Sequence, residues 1–217
     1  MSFATSAKSS AESSTSILGW FTEVLGVDNL DEGYEFSVGG QPFIARGGVP
    51  RSCKLMSDEQ AQTSETFGFK WKKIDTFDSP VSLTRMREWL VERYGDLATA
   101  SWLAEHGERP LLIDAGCGAG MSGLELLGPI LPRIRYLGID VSEAVDVARQ
   151  RFAERGFICG FIQADINDLP LSSKSVDLIF SEGVLHHTDS TEDALKSLAR
   201  LLKPGGRFLF YLNPAIR

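Results

Sequence analysis

From Pro110 onward, short apolar runs alternate with stretches whose apolar positions recur every three or four residues. The runs Leu111–Ala115, Ile134–Asp140, Ile158–Ala164, Val176–Phe180 and Arg207–Leu212 predict strands. Ser122–Leu131, Glu143–Arg155 and Thr191–Leu202 predict helices. The last carries Leu195, Leu198 and Leu202 on one stripe, with Ser190 and Asp193 spaced like a capping box. Lys203-Pro204-Gly205-Gly206 then ends the helix and turns the chain. The strands are apolar almost throughout rather than at alternate positions, which predicts burial on both faces. A mostly parallel α/β sheet, doubly wound with helices on each side, satisfies that pattern. No internal repeat is visible.

Upstream the pattern is different. Ile17–Leu25 predicts a short apolar helix. Tyr34–Val38 and Pro42–Ala45 predict a hairpin about Gly39-Gly40. The stretch "TFGFKWKKIDTF" concentrates Phe67, Phe69, Trp71 and Phe77, which either close a small satellite core or form a water-excluding wall of a pocket. From Ser82 the pattern is helical, with Leu83, Met86, Leu90 and Tyr94 on one face and Gly95 as a stop. Asp96 can cap a second helix carrying Leu97 and Leu103 that ends near Gly107. The chain thus divides into a tail over 1–16, a lead-in or cap region over 17–80, and a core over 81–217.

Composition narrows the classes. The 217 residues are 43% hydrophobic and 24% charged, the balance of an ordinary globular protein. A net charge of -7 argues against nucleic-acid binding, which uses lysine and arginine to displace counterions. Cys53, Cys117 and Cys159 form no CxxC pair, so neither a disulfide framework nor a metal ribbon is expected, and a cytoplasmic setting is. The first sixteen residues hold seven serines and no basic-then-apolar signal pattern. No apolar run reaches membrane-spanning length.

The candidate chemistry lies in "LLIDAGCGAG", Leu111 to Gly120. A strand stops at Asp114 and continues as a bend of Ala115, Gly116, Cys117, Gly118, Ala119 and Gly120. In open parallel sheets ligands bind beyond the carboxyl ends of the strands, and glycines let them approach the backbone. A dinucleotide fingerprint would need a small residue where Met121 stands, so the spacing is D-x-G-x-G-x-G instead. With "LGIDVS", "IQADINDLP", "VDLIFSEGVLHHTD" and "LLKPGGRFLFY" following in order, residues 96–213 resemble the class I S-adenosylmethionine-dependent methyltransferases.

That resemblance implies a Rossmann-like sheet of order 3-2-1-4-5 and S-adenosyl-L-methionine as cofactor. It sets the methionine moiety over Gly116, Cys117, Gly118 and Gly120, with Asp114 ordering its amino end. Asp140, followed by Val141, accepts the ribose hydroxyls, unless it instead caps the following helix, where Ser142 is better placed. Asp165 accepts the adenine amine beside the backbone of Ile166, with Asp168 close enough to exchange roles. Ser181 and Glu182 line the methionine end.

His186 and His187 are either a general base for an acceptor that must lose a proton or structural side chains. Adjacent histidines usually point apart, so one at most faces the pocket. The lead-in resembles the ribbon of small-molecule and sugar-type methyltransferases. Some of these carry paired cysteines there and this chain does not, so no metal is expected. Phe69 and Trp71 are expected near the cofactor mouth. The family's sheet ordinarily adds two further strands, so the chain reads as truncated after the fifth. That leaves "RFLFYLN" as an exposed edge covered by further chain or by association. The activity implied is methyl transfer to a small molecule. The alternatives are a cofactor-holding module without turnover, a nicotinamide-dependent reductase, and a methyltransferase of RNA or protein.

Overall fold

A computed structural model describes residues 19–54 and 79–213. The strands are β1 (Glu35–Val38), β2 (Gln41–Arg46), β3 (Val49–Ser52), β4 (Leu111–Ala115), β5 (Arg135–Asp140), β6 (Gly160–Gln163), β7 (Val176–Glu182) and β8 (Leu202–Tyr211). The α-helices are α1 (Gly19–Leu25), α2 (Pro80–Tyr94), α3 (Met121–Leu127), α4 (Ala144–Glu154) and α5 (Thr191–Ala199). Tail residues 1–16 and the aromatic stretch with Phe69 and Trp71 lie outside the described residues.

β4 is buried at every position, and β7 at all but its last. Their apolar residues divide between the faces. Leu111, Ile113 and Ala115 pack with Phe21 and Leu25 of α1 and with Leu198 of α5. Leu112 packs on the other side with Leu90 of α2, Leu124 of α3 and Phe152 of α4. Burying both faces of a strand demands this arrangement of helix, sheet and helix. Helix starts follow local chemistry. Ser79 caps α2 by accepting from Ser82 N, with Pro80 at the first helical position, and Ser190 Oγ accepts from Asp193 N at 3.2 Å at the head of α5.

The strand order is β1-β2-β3-β6-β5-β4-β7-β8. The five core strands therefore stand in the order 3-2-1-4-5, all pairing in parallel. The expected sheet of five strands is corrected to eight. The lead-in is an antiparallel ribbon of three strands whose β3 runs parallel to β6, so it continues the core sheet. It covers the edge of β6, which would otherwise present unpaired backbone groups. The missed strand, β3, follows the turn Gly47-Gly48, with φ of 59° and 73°. These left-handed values fit a tight two-residue hairpin, as Gly39-Gly40 does one turn earlier. At the other edge of the described sheet stands β8, with Phe210 41% exposed.

Three further boundaries differ. The helix predicted over Ser122–Leu131 is α-helical to Leu127 and then a 3-10 turn over Gly128–Arg133, because Pro129 and Pro132 have no N–H to continue the ladder. The helix expected after Asp96 is two 3-10 segments, Leu97–Thr99 and Ser101–His106, although Asp96 does cap the first by accepting from Ala98 N. The helix before "KPGG" ends at Ala199, and β8 already begins at Leu202, paired with Val176 across a bulge. On an edge strand Pro204 costs no ladder bond if its nitrogen faces outward.

Candidate functional site

Strand order reverses between β4 and β7, so the loops leaving their carboxyl ends diverge and open a hollow. Its floor is the glycine bend. Gly116 N and Cys117 N both donate to Ile139 O, at 2.8 and 2.9 Å, which fastens the bend to the end of β5. Gly116 has φ of 79°, and a Cβ there would lie 2.3 Å from Val184 Cγ1, so no other residue fits. A Cβ on Gly120 would meet Phe152 Cε2 at 2.8 Å, so that glycine serves the packing of α4 against the start of α3.

Carboxylates come to this hollow from the ends of several strands. Asp140 accepts three hydrogen bonds. Its Oδ2 accepts from Gly118 N at 2.8 Å, while Oδ1 accepts from Ser142 N at 2.9 Å and Ser142 Oγ at 2.7 Å. Ser142 Oγ in turn accepts from Ala144 N at 3.3 Å, so Ser142 rather than Asp140 serves the head of α4. Asp165 Oδ1 accepts from the backbone and side-chain nitrogens of Asn167, at 2.9 and 3.1 Å. Asn167 Oδ1, buried in the same turn, has no hydrogen-bond partner. Asp168 pairs instead with Gln41 and Lys54 of the ribbon.

Asp114 is 2% exposed and accepts from Tyr136 Oη at 2.6 Å. Burial pushes its carboxyl up to about 7 against the Tyr136 hydrogen bond, with the charges of Asp140 and Glu182 adding to the rise. Glu182, at the end of β7, is held from α2. Arg93 pairs with its Oε1, and the Tyr94 hydroxyl donates to its Oε2. Burial, followed by the bond to Glu182, drives the Tyr94 hydroxyl well above its ordinary range.

One hollow brings together Asp114, Gly116, Cys117, Gly118, Asp140, Val141, Asp165, Ile166, Glu182 and His187 from the sequence-predicted set. Ala115, Gly120, Ser181 and His186 are not in its described lining. Ser181 Oγ turns into the core and donates to Ala115 O at 2.9 Å. His186 Nδ1 accepts from Asn213 N at 3.4 Å, and burial lowers its pKa, favouring the neutral ring. The two histidine rings lie 4.2 Å apart rather than on opposite sides. They share the 3-10 turn Leu185–His187, where successive side chains are about 120° apart. Cys117 is buried, and burial raises its thiol pKa.

Sequence reasoning missed Met86 from α2, Asn167, Val184 and Thr188 in the lining, and Arg93, Tyr94 and Tyr136 behind it. Val184 and Thr188 flank the quoted histidines and could have been noticed. Arg93 had no local signal, since its partner is 89 residues away.

Residues 113–210 match the family described as a methyltransferase domain. An uncharacterised methyltransferase of Bacillus subtilis is 34% identical over 102 residues, covering 47% of this chain and 42% of that protein. A malonyl-[acyl-carrier protein] O-methyltransferase of Enterobacter lignolyticus is 35% identical over 102 residues, covering 46% and 37%. The matched segment thus spans less than half the length of these two relatives. Among solved structures, the geranyl diphosphate C-methyltransferase of Streptomyces coelicolor, in complex with Mg2+, geranyl diphosphate and S-adenosyl-L-homocysteine, superposes with a TM-score of 0.55. It is 17% identical and covers 73% of this chain and 66% of its own, a likeness of fold.

Proposed function

We propose that the protein is a class I S-adenosylmethionine-dependent methyltransferase, a reading supported by the match of residues 113–210 to a methyltransferase domain, and that it moves a methyl group from the cofactor to a small-molecule acceptor. The observation that carries this reading is the single hollow shared by the glycine bend with Asp140 and Asp165 on one side and Glu182 and His187 on the other. The residues present fit the cofactor. Asn167 Oδ1, in the lining of the hollow, is a buried acceptor lacking a donor, which an exocyclic amine would supply.

When bound, the cofactor supplies a sulfonium-activated methyl group, open to in-line attack by a nucleophile. Asp140 would accept the ribose hydroxyls, while its existing bonds to Gly118 and Ser142 hold its carboxylate and the bend together. Asp165 and Asn167 would accept from the adenine amine, and the Ile166 backbone would serve the ring. Gly116 and Gly118 would receive the methionine part, with Glu182 offering negative charge to its ammonium and Asp114 a buried acceptor beside it. Met86 and Val184 line the hollow and would help to exclude water from it. His187 is the nearer of the two histidines to act as base, and only for an acceptor that must release a proton. The rest of the work is positioning.

The test is titration with adenosylhomocysteine followed by transfer of radiolabelled methyl to small-molecule fractions. Binding with labelling supports the reading. Binding without labelling of any fraction supports a cofactor-holding module. Binding of NADH and not of adenosylhomocysteine restores the reductase.

A further inference from the structure

We propose that Arg93 and Tyr94 of α2 are positioning residues that hold Glu182 in place at the methionine end of the hollow. Both lie outside the matched segment 113–210, so the family likeness does not supply them. The inference rests on the methyltransferase reading, in which Glu182 receives the cofactor's ammonium.

Glu182 ends β7 with its side chain 6% exposed, too buried for water to solvate its charge. Each of its oxygens has one partner, Arg93 on Oε1 and Tyr94 on Oε2. Those partners are themselves fixed. The Arg93 guanidinium carbon sits 3.9 Å from the centroid of Trp89 and 3.6 Å from that of Tyr211. Tyr211 is the residue paired with Glu182 on β8, so the stacking ring and the carboxylate share one rung of the sheet. The Tyr94 ring packs edge-on to Phe180 of β7, with centroids 5.5 Å apart. The same helix sends Met86 into the hollow.

This arrangement keeps a carboxylate aimed and compensated at one spot while its charge still acts on the hollow. Lysine cannot replace Arg93 fully, because an ammonium lacks the planar face that two rings hold in position. Methylthioadenosine isolates the effect, since it keeps the adenine, ribose and sulfur and lacks the amino-acid part that Glu182 receives.

Adenosylhomocysteine and methylthioadenosine are titrated calorimetrically into the full chain and into Arg93→Ala, Arg93→Lys and Tyr94→Phe. Arg93→Ala is expected to weaken adenosylhomocysteine about tenfold to a hundredfold, the worth of a charge-assisted contact. Methylthioadenosine affinity should stay within about twofold, since the rest of the hollow is untouched. Arg93→Lys should recover part of the loss, and Tyr94→Phe should show the same selectivity more weakly. Unchanged adenosylhomocysteine affinity in Arg93→Ala overturns the proposal. Equal loss of both ligands does so too, since that marks a merely structural residue. Should Arg93→Ala not fold, the two milder variants decide by the same comparison. A parent protein that binds neither ligand sinks the methyltransferase reading itself, and this inference with it.

Discussion

Asp114 brings a carboxyl group into the middle of the sheet, where Tyr136 is its hydrogen-bond donor and water is excluded. Its folded-state pKa of about 7 lies above the ordinary value of 3.8, so between those values the folded chain holds a proton that the unfolded chain releases. Stability from this group is therefore largest at low pH and falls as pH rises toward 7, with no further loss above it. Asp114→Asn should remove that slope. Its melting temperature relative to the parent is expected to rise between pH 5 and pH 8, and a constant difference across that range would contradict the assignment. Asp140 is held differently, by hydrogen bonds from the backbone of Gly118 and from Ser142. Asp140→Ala should weaken adenosylhomocysteine about tenfold to a few hundredfold, measured by titration calorimetry. Ser142→Ala removes one of the bonds that aim Asp140 and should weaken it less than about tenfold. Asp114 was legible because it stands at the end of an apolar run before a glycine bend, and Asp140 because it closes the next apolar run. Tyr136 and Arg93 were not, since nothing along the chain marks a tyrosine or arginine whose partner is brought close only by folding. Asn167 stood inside a quoted motif, but an unpartnered amide oxygen has no sequence signature.

Elements were more legible than their ends. The central strands announced themselves as apolar runs, whereas the breaks after Leu127 and Ala199 turned on backbone hydrogen bonds that hydrophobic spacing does not register. Between elements, charge does work that periodicity does not reveal. Glu125 on α3 has a side chain only 1% exposed and is paired with Arg87 of α2 at 2.6 Å and with Arg155, just past α4, at 3.0 Å. Both arginines are partly exposed, at 62% and 43%. Either alone can compensate the carboxylate, so Arg87→Ala or Arg155→Ala should each cost about 1 kcal/mol. Removing both strands a buried charge, and the double variant should lose about 3–5 kcal/mol in denaturant unfolding. The excess over the sum measures the coupling. An additive result would mean that Glu125 is neutral or hydrated in the folded chain. The pair also explains why α2 can serve as a wall of the hollow, since it is tied to α3 at its middle and to β7 near its carboxyl end.

On the scale of the molecule, the ribbon β1–β3 lengthens the core sheet at the β6 edge, a placement that the hairpin signal alone could not convey. A hairpin reads locally from its glycine turns, while its docking depends on matching another edge more than a hundred residues away. That match is narrow in backbone terms, with Arg51 of β3 opposite Gln163 of β6. Side chains reinforce it. Arg51 donates to Gln163 Oε1 at 2.6 Å and to both oxygens of Asp146 on α4, at 2.8 and 2.9 Å. Gln163 Nε2 then donates to the carbonyl of Val141, a residue lining the hollow. Apolar contacts act in parallel, because Val38 and Phe43 are buried in the core cluster beside Ile162. Arg51→Ala should thus loosen the ribbon without releasing it. Losing about 1 kcal/mol of docking predicts roughly fivefold faster hydrogen exchange at the amides of β2 and β3 that open with the ribbon. The amides of β4 and β5, buried on both faces, should exchange as in the parent. If the ribbon amides do not change, the apolar contacts alone hold the edge. If β4 and β5 accelerate as well, ribbon and core open as one cooperative unit, and the lead-in is structurally inseparable from the fold it extends.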